Sequence, residues 1–287
     1  MTTNVTVTGT GNPYMSATNA GPGVLVHYEA DDGSSVRAQF DAGRATAMRL
    51  TALGVAPGDL DAIFLTHYHS DHLTGVTDIV LSHWVFDRDD NFAPLVLGSP
   101  QGATSRFAER MLSIWDDDLA VRSGHNHRSP EPKVDHVVFP ATAGPTEVWS
   151  RGAVRVLASQ VRHEPVVDAV GYRVETPDGV VVISGDTVVC DEMAVLAEGA
   201  DVVVYEAMRA NIVRERPAHL RYIVDYHADC VEIGRQMHDV GVPNLMLTHL
   251  LPPAKSEADF DEFRDQVLEG GYEGNLMVCR DLDTITF

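Results

Sequence analysis

A short stretch of the chain, IFLTHYHSDHLTG at residues 63–75, places four metal-binding side chains within six positions: His67, His69, Asp71 and His72. His67 and His69 are two residues apart, so on an extended strand end both side chains project to the same side. Neutral imidazoles suit zinc, and a carboxylate can bind one ion or bridge two. A polar loop would explain a single histidine, but the ordered set favours a metal site that serves two ions.

The elements around this stretch must position it. The apolar run DAIFLTH at residues 61–67 predicts a short buried strand, and residues 70–85 predict a helix with its N-terminal cap at Ser70 or Asp71. Residues 121–150, which are rich in Pro, Gly and His, are predicted to be mostly loop covering a site.

Further strands are predicted at 4–11, 22–30, 35–43, 93–99, 153–161, 169–175, 179–185, 200–207 and 244–250, and further helices at 44–54, 103–119, 190–199, 228–241 and 256–270. Strand-rich beginnings followed by helices in both halves predict two packed sheets covered outside by helices.

The charge balance restricts the partners of this protein. The chain has 21 Lys and Arg against 42 Asp and Glu, a formal net charge of −21. Such a surface repels phosphate backbones at long range, because nucleic-acid binding is largely release of counterions by Lys and Arg. The composition therefore argues against a large polyanionic partner.

The absence of a signal-peptide pattern and of any apolar run of about 18 residues predicts a cytoplasmic protein with no membrane span. The three cysteines, Cys190, Cys230 and Cys279, are far apart and form no C-x-x-C motif. We interpret them as reduced, small buried side chains, consistent with that compartment.

The segment THYHSDHLTG resembles the signature of the metallo-β-lactamase-fold hydrolases. The resemblance implies an α/β protein with a four-layer αβ/βα sandwich, here a single domain over residues 1–287, with metals at the edge where the sheets meet. It also implies three more ligands at strand ends. The sequence contains His163 after VRVLASQVR, Asp186 in VVISGDT and His249 in LMLTHL. The resemblance therefore extends over about residues 4–255 rather than one motif.

Carried over to this chain, the family pattern implies two zinc ions per chain, with manganese or iron as alternatives that the same ligands would fit. His67, His69 and His163 would hold one ion, Asp71, His72 and His249 the other, and Asp186 would bridge them. Asp71 is also assigned to the catalytic group. Two such ions bind a bridging hydroxide, lower its pKa and stabilise the oxyanion that forms on attack.

Beyond these ligands, the chain most resembles the ribonuclease Z branch of the family, in VTGTGNP, FDAGRAT and APLVLGSPQG. Asp41 in FDAGRAT would hydrogen-bond a metal-binding histidine. VVVYEAM stands where that branch has HEAT, and YHADC where it has a His–Ser/Thr pair. The resemblance implies that Glu206 orients His227, which protonates the leaving oxygen. In the alternative interpretation, Glu206 is only a carboxylate at a strand end and His227 only a residue at a helix N-terminus.

Three departures from that branch argue against tRNA processing. Bacterial ribonuclease Z binds tRNA with a basic, Gly-rich arm inserted between the GYR and SGDT strands, and this chain has only VETPDGVVVI there. HEAT has become YEAM, and the polar run after the last ligand is LLPPAKSEA. Together with the acidic charge, these changes predict a small-molecule substrate.

The leading hypothesis is a dinuclear metallohydrolase that acts on a small phosphodiester or a related ester. The alternative is a lactone, ester or amide hydrolase, in which the same hydroxide attacks a carbonyl and one metal forms the oxyanion site. A tRNA 3′-end endonuclease and an iron redox enzyme are weaker alternatives, and the complete ligand set argues against a non-catalytic scaffold.

The segment 83–150 resembles an insertion that varies within the family. Its aromatic residues Trp84, Phe86 and Trp115 make it a candidate wall of the active site or a dimer contact, with core packing as the alternative for each ring. His125 and His127 could reach a substrate, although a surface loop is the preferred interpretation. A homodimer is expected by family analogy alone.

Overall fold

Two seven-stranded sheets organise residues 1–126 and 129–287, the part of the chain that the computed structural model describes. The first sheet contains β1 (Thr2–Gly9), β2 (Gly23–Glu29), β3 (Ser35–Phe40), β4 (Ala62–Phe64), β5 (Leu95–Pro100), β6 (Val134–Phe139) and β14 (Thr284–Thr286), in the order β14-β1-β2-β3-β4-β5-β6. The second contains β7 (Thr146–Arg151), β8 (Val154–Gln160), β9 (Val170–Glu175), β10 (Val180–Ile183), β11 (Val202–Met208), β12 (Asn244–Leu251) and β13 (Asn275–Val278), in the order β13-β12-β11-β10-β9-β8-β7.

Helices connect these strands and cover the outside of the sheets. They are α1 (Thr46–Ala52), α2 (Ser70–Leu73), α3 (Val76–Phe86), α4 (Ala103–Arg110), α5 (Asp116–Asn126), α6 (Asp191–Ala197), α7 (Ala210–Arg214), α8 (Cys230–Val240) and α9 (Glu257–Glu269). Short 3-10 helices span Pro57–Asp59, Ser113–Trp115 and Ala218–Asp225. In the described part of the chain, no helix combines the length and apolarity needed to cross a membrane.

Three apolar layers hold the sheets and helices together. Because side chains alternate along a strand, each sheet has an inner and an outer face. The inner faces pack on each other around Phe40, Phe64 and Tyr172, whose ring centroids lie 5.2–5.7 Å apart. The outer face of the first sheet packs on α1, α3 and α4, and that of the second on α6, α8 and α9. The predicted four-layer sandwich is confirmed.

Parallel pairing brings the carboxyl ends of several strands to one edge. In the first sheet β3, β4 and β5 are parallel neighbours, and in the second sheet β10, β11 and β12 are. A backbone hydrogen bond of 3.0 Å from the N–H of Val170 to the carbonyl of Thr66 joins the two sheets at this edge. The ends of β4, β10 and β12, which carry the predicted ligands, are thereby brought together.

The prediction that residues 121–150 are mostly loop is wrong. α5 extends into this region, and β6 and β7 add strands to the edges of the two sheets. Edge strands with exposed positions such as Asp135 and His136 lack the continuous apolar pattern of a buried strand. His125 is exposed in the last turn of α5, and His127 lies outside the described residues.

The segment 83–150 therefore supplies β5, β6 and β7 to the sandwich. Trp84 is buried in the fold, as the core-packing alternative predicts, whereas Phe86 and Trp115 are exposed. The three cysteines are free and buried, as predicted.

Two predicted helices are each divided in the structure. The helix predicted at 70–85 breaks before Gly75, because the backbone N–H of Gly75 donates a 2.8 Å hydrogen bond to the carbonyl of Ala42 instead of to the helix. The residue is a glycine because a Cβ there would collide with the carbonyl oxygen of Gly43. The helix predicted at 103–119 becomes α4, a 3-10 turn and α5. The strands β13 and β14, which follow α9, were not predicted.

Candidate metal centre

The turn between β4 and α2 carries four of the predicted ligands. The rings of His67 and His69 lie 4.6 Å apart, and those of His67 and His72 lie 4.2 Å apart. His67, Asp71 and His72 are buried, and His69 is the half-exposed member of the set. The turn therefore projects its ligands into the protein, with His69 nearest the solvent.

One group of ligand atoms combines this turn with the second sheet. It contains His67, His69, His163 and Asp186, and its ligand atoms lie within 4.8 Å of one another. The Nε2 atom of His163 is 3.2 Å from Nδ1 of His69, and Oδ2 of Asp186 is 3.8 Å from Nε2 of His67. His69 thus faces the group with Nδ1, whereas His67 and His163 face it with Nε2.

A second group contains Asp71, His72 and His249, again with ligand atoms within 4.8 Å of one another. The Nε2 atom of His249 is 3.3 Å from Oδ2 of Asp71 and 3.5 Å from Oδ2 of Asp186. The Oδ1 atom of Asp186 is 3.3 Å from Nε2 of His72. Asp186 therefore lies between the two groups, which is the position that a bridging carboxylate requires.

Unpaired polar atoms show that these residues fit divalent cations. Among the described residues, Nε2 of His67 is buried without a hydrogen-bond partner. Nε2 of His72 and Oδ1 of Asp186 are also buried, and although they lie 3.3 Å apart they form no well-aligned hydrogen bond. Leaving a buried polar atom unpaired costs about 1–3 kcal/mol. Imidazole nitrogens and a carboxylate that converge in this way form the donor set of zinc and similar ions, which would satisfy all three atoms.

Asp41 orients two of the histidines through one carboxylate. Its Oδ2 atom accepts a 2.7 Å hydrogen bond from Nδ1 of His72 and another of 2.7 Å from the hydroxyl of Thr66. That hydroxyl lies 2.9 Å from Nδ1 of His67 and, since its proton goes to Asp41, accepts from that nitrogen. Both histidines then carry their proton on Nδ1, which leaves Nε2 free for a metal. Sequence reasoning found Asp41 but missed Thr66.

A second hydrogen bond of this kind fixes the third histidine. The Nδ1 atom of His163 donates to the backbone carbonyl of Tyr226 over 2.9 Å, so its Nε2 is also free to bind. The ring of Tyr226 packs on His163 at 5.2 Å and on His227 at 4.7 Å. Nothing in the sequence indicated Tyr226, because any residue type can supply a backbone carbonyl.

The electrostatics favour the metal-binding protonation state at three of the ligands, His67, His163 and Asp186. Burial lowers the pKa of His67 well below its ordinary range and that of His163 to about 4, so both stay neutral. Burial disfavours ionised Asp186, but His249 and His72 outweigh it and hold the pKa of that carboxyl well below its usual value. Neutral imidazoles and an ionised carboxylate are the forms that coordinate a metal. Burial opposes protonation of His72, but the carboxylates of Asp186 and Asp41 outweigh it and raise its pKa well above the ordinary range, so a metal would displace a proton there.

The predicted Glu206–His227 pair is also present beside the two groups. Nδ1 of His227 donates a 2.8 Å hydrogen bond to Oε1 of Glu206, which also accepts from the backbone N–H of Thr187 at 3.0 Å. Burial raises the pKa of Glu206. Burial also opposes protonation of His227, but the neighbouring carboxylate of Glu206 raises its pKa. The His227 ring stacks on His249 at 5.5 Å, so its second nitrogen lies at the site.

Comparison with known proteins identifies the class of this fold and site. Residues 18–250 match the beta-lactamase superfamily domain, and the chain belongs to that superfamily. The ribonuclease Z of Mycobacterium bovis (strain BCG / Pasteur 1173P2) is 34% identical over 250 residues, which is 86% of each chain. The protein is thus a metallo-β-lactamase-superfamily hydrolase of the ribonuclease Z-like branch, as the sequence resemblance predicted.

Solved structures agree with this fold. The metallo-beta-lactamase fold protein YhfI from Bacillus subtilis aligns over 100% of both chains with a TM-score of 0.74 and 19% identity. The short form of human tRNase Z (ELAC1) aligns over 98% of both chains with a TM-score of 0.68 and 18% identity. At these identities, the similarity establishes the shared architecture.

Proposed function

We propose that this protein is a dinuclear metal-dependent hydrolase of a small-molecule phosphodiester or a related ester. The observation that carries the proposal is the pair of ligand groups sharing Asp186, with the hydrogen-bonded Glu206–His227 pair beside them. Bound divalent cations, with zinc as the default and manganese or iron as alternatives, would lower the pKa of a water molecule and polarise the scissile group. His67, His69 and His163 would hold one ion, Asp71, His72 and His249 the other, and Asp186 both.

The hydrogen bond from His227 to Glu206 supports a role for His227 as the proton donor to the leaving group. Glu206 holds Nδ1 of His227 and stabilises the protonated ring, so the other ring nitrogen is available to donate a proton. An alkoxide is a poor leaving group and needs such a proton. The pair therefore supports phosphodiester hydrolysis over reactions in which the leaving group departs unaided.

Charge and loop length support a small substrate. The net charge of −21 disfavours a polyanion. The connection from β9 to β10 spans only residues 176–179, where the resemblance to bacterial ribonuclease Z would place a tRNA-binding arm. The similarity to ribonuclease Z favours tRNA 3′-end cleavage as the second candidate. We expect no membrane partner, and a homodimer by analogy with the family.

A substrate screen on protein of measured metal content tests this proposal. The phosphodiester arm contains bis(p-nitrophenyl) phosphate and a 2′,3′-cyclic nucleotide, the carbonyl arm contains lactones and simple esters, and a precursor tRNA is the third arm. We expect metal-dependent turnover in the phosphodiester arm. Turnover confined to the carbonyl arm would support the lactone or ester alternative, and turnover confined to the tRNA would support the second candidate.

Variants separate the metal site from the proton donor. His69→Ala should abolish metal-dependent turnover, and His136→Ala, which removes an exposed histidine of β6, should not. His227→Ala should lower kcat about 100-fold or more on the cyclic nucleotide, whose leaving group is an alkoxide. The same variant should affect bis(p-nitrophenyl) phosphate much less, because p-nitrophenolate leaves without a proton. Equal losses on both substrates would exclude the proton-donor role.

A further inference from the structure

A pocket opens beside the metal-binding turn. It has a volume of about 360 Å³ and lies between this turn, which contributes Tyr68 and Leu73, and α4, which contributes Arg106, Phe107 and Arg110. Tyr68 is 39% exposed, and its ring lies 5.7 Å from that of His69. The pocket therefore adjoins the solvent-facing side of the candidate metal centre.

The position of α4 is fixed relative to the metal ligands. Oδ2 of the buried Asp168 accepts a 3.0 Å hydrogen bond from the backbone N–H of Ala103, the first residue of α4. Asp168 belongs to the segment that follows His163, so the same stretch of chain carries a ligand and anchors the helix. A carboxylate at a helix N-terminus is a favourable anchor, because it accepts from free N–H groups and interacts with the helix dipole.

The charge of this pocket is opposite to that of the whole molecule. Arg106 and Arg110 are four residues apart, so they lie on the same face of α4, and both are exposed. Neither forms an ion pair with a carboxylate among the described residues, and the described lining contains no acidic side chain. This is notable in a chain with 42 acidic and 21 basic residues, where Arg155, for example, contacts both Glu147 and Glu175.

We propose that this pocket binds a second anionic group of the substrate, a phosphate or a carboxylate that is not itself hydrolysed. The proposal rests on the proposed function, since the reacting group must lie at the adjoining metal centre. Guanidinium groups present planar donors that match both anions, and Tyr68 lines the same pocket. Arg106 and Arg110 also provide a local positive potential that offsets the long-range repulsion of an anionic substrate by the acidic surface. The substrate class is thus a small molecule with two separate anionic centres.

Matched pairs of ligands test this pocket on the metal-loaded enzyme. One pair is thymidine 5′-(p-nitrophenyl phosphate) with and without a 3′-phosphate, and the other is p-nitrophenyl acetate and mono-p-nitrophenyl succinate, which adds a carboxylate. In the double variant Arg106→Ala/Arg110→Ala, we expect KM to rise about tenfold for the member with the additional charge. KM for the other member, and kcat for both, should stay unchanged. Whichever pair loses selectivity identifies the preferred anion.

Calorimetric binding of thymidine 3′,5′-bisphosphate and thymidine 5′-monophosphate gives a readout that does not depend on turnover. The double variant should lose about tenfold affinity for the bisphosphate alone. Arg106→Lys/Arg110→Lys should retain part of it, because the charge remains but the planar donors are lost. Arg235→Ala, which removes an exposed arginine of α8, should bind both nucleotides like the wild type.

The outcomes distinguish failure of this proposal from failure of the proposed function. Wild-type turnover confined to p-nitrophenyl acetate and mono-p-nitrophenyl succinate would refute the phosphodiester function. The comparison of these two esters and the binding of the bisphosphate would still show whether the pocket binds an anion. The pocket proposal is overturned if the double variant weakens both members of each pair equally, or if wild-type protein binds the bisphosphate no better than the monophosphate.

Discussion

Replacing Asp41 by asparagine is the sharpest test of how the fold prepares the metal centre. The Asp41 carboxylate accepts hydrogen bonds from Thr66 N–H at 2.8 Å, Thr66 hydroxyl at 2.7 Å and His72 Nδ1 at 2.7 Å. Asp41 also has a positive φ of 52°, a conformation that asparagine tolerates as well as aspartate. Asp41→Asn therefore changes the charge and one acceptor while it preserves the size and the backbone.

The expected magnitude follows from this hydrogen-bond count. In asparagine one terminal oxygen becomes an NH2 group, so at least one of the donors on Thr66 or His72 faces another donor. An unpaired buried donor costs about 1–3 kcal/mol. Loss of such an orienting group typically lowers metal affinity about 10–100-fold. We therefore expect Asp41→Asn to weaken zinc binding within that range, because His72 and His67 lose their fixed orientation.

Competition with a fluorescent zinc chelator measures this affinity, and urea unfolding of the metal-free protein measures stability. Asp87→Asn is the matched control: Asp87 is also buried and accepts hydrogen bonds from the backbone N–H groups of Asn91 and Phe92, away from the site. Asp87→Asn should lose stability without losing zinc affinity. The reasoning is refuted if Asp41→Asn binds zinc like the wild type, or if both variants lose the same affinity.

Three further predictions concern packing, backbone space and pH. Phe64→Ala should lower the free energy of unfolding in urea by about 3–5 kcal/mol, because the ring is fully buried between the sheets, and a loss below that of Phe64→Leu would contradict this. Gly185→Ala should weaken zinc binding, since its Cβ would lie 2.9 Å from Thr66 at a φ of 61°, whereas Gly199→Ala, at a similar φ with free space, should cost only stability. Asp259 accepts a hydrogen bond from the backbone N–H of Lys255, and this bond is the main cause that lowers the pKa of Asp259 from 3.8 to about 2. The stabilisation of the folded state by ionised Asp259 is therefore present above pH 3.8 and lost as the pH falls towards 2. The difference in stability between wild type and Asp259→Asn should shrink over that interval in acid unfolding.

Local patterns account for what the sequence predicted correctly. Apolar alternation indicates strands. A metal ligand directly after a strand lies at the edge of the sheet, whatever the place of that strand in the strand order. His163, Asp186 and His249 each follow a predicted strand, and the resemblance to the family assigned them to one site. The sequence also identified Glu206 and His227 as a pair, although only by resemblance to a family.

Edge strands and helix breaks were predicted poorly because tertiary contacts decide them. β6 and β7 become strands by pairing with β5 and β8, although their own pattern is weak. The break before Gly75 depends on the backbone carbonyl of Ala42, which lies more than thirty residues earlier in the chain. Such contacts leave no local signal in the sequence.

The residue types and spacing by themselves determined the cluster of four metal-binding side chains at residues 67–72, the two packed sheets covered by helices and the acidic charge. The three remaining ligands and the four-layer sandwich were predicted only through the resemblance to a family. Only the tertiary structure decided which nitrogen of each histidine faces the site, because this depends on partners such as the backbone carbonyl of Tyr226, 63 residues from His163. It also decided that Arg106 and Arg110 lie beside the metal-binding turn. The physical reason is that orientation and local electric field depend on groups that meet only when the two sheets pack.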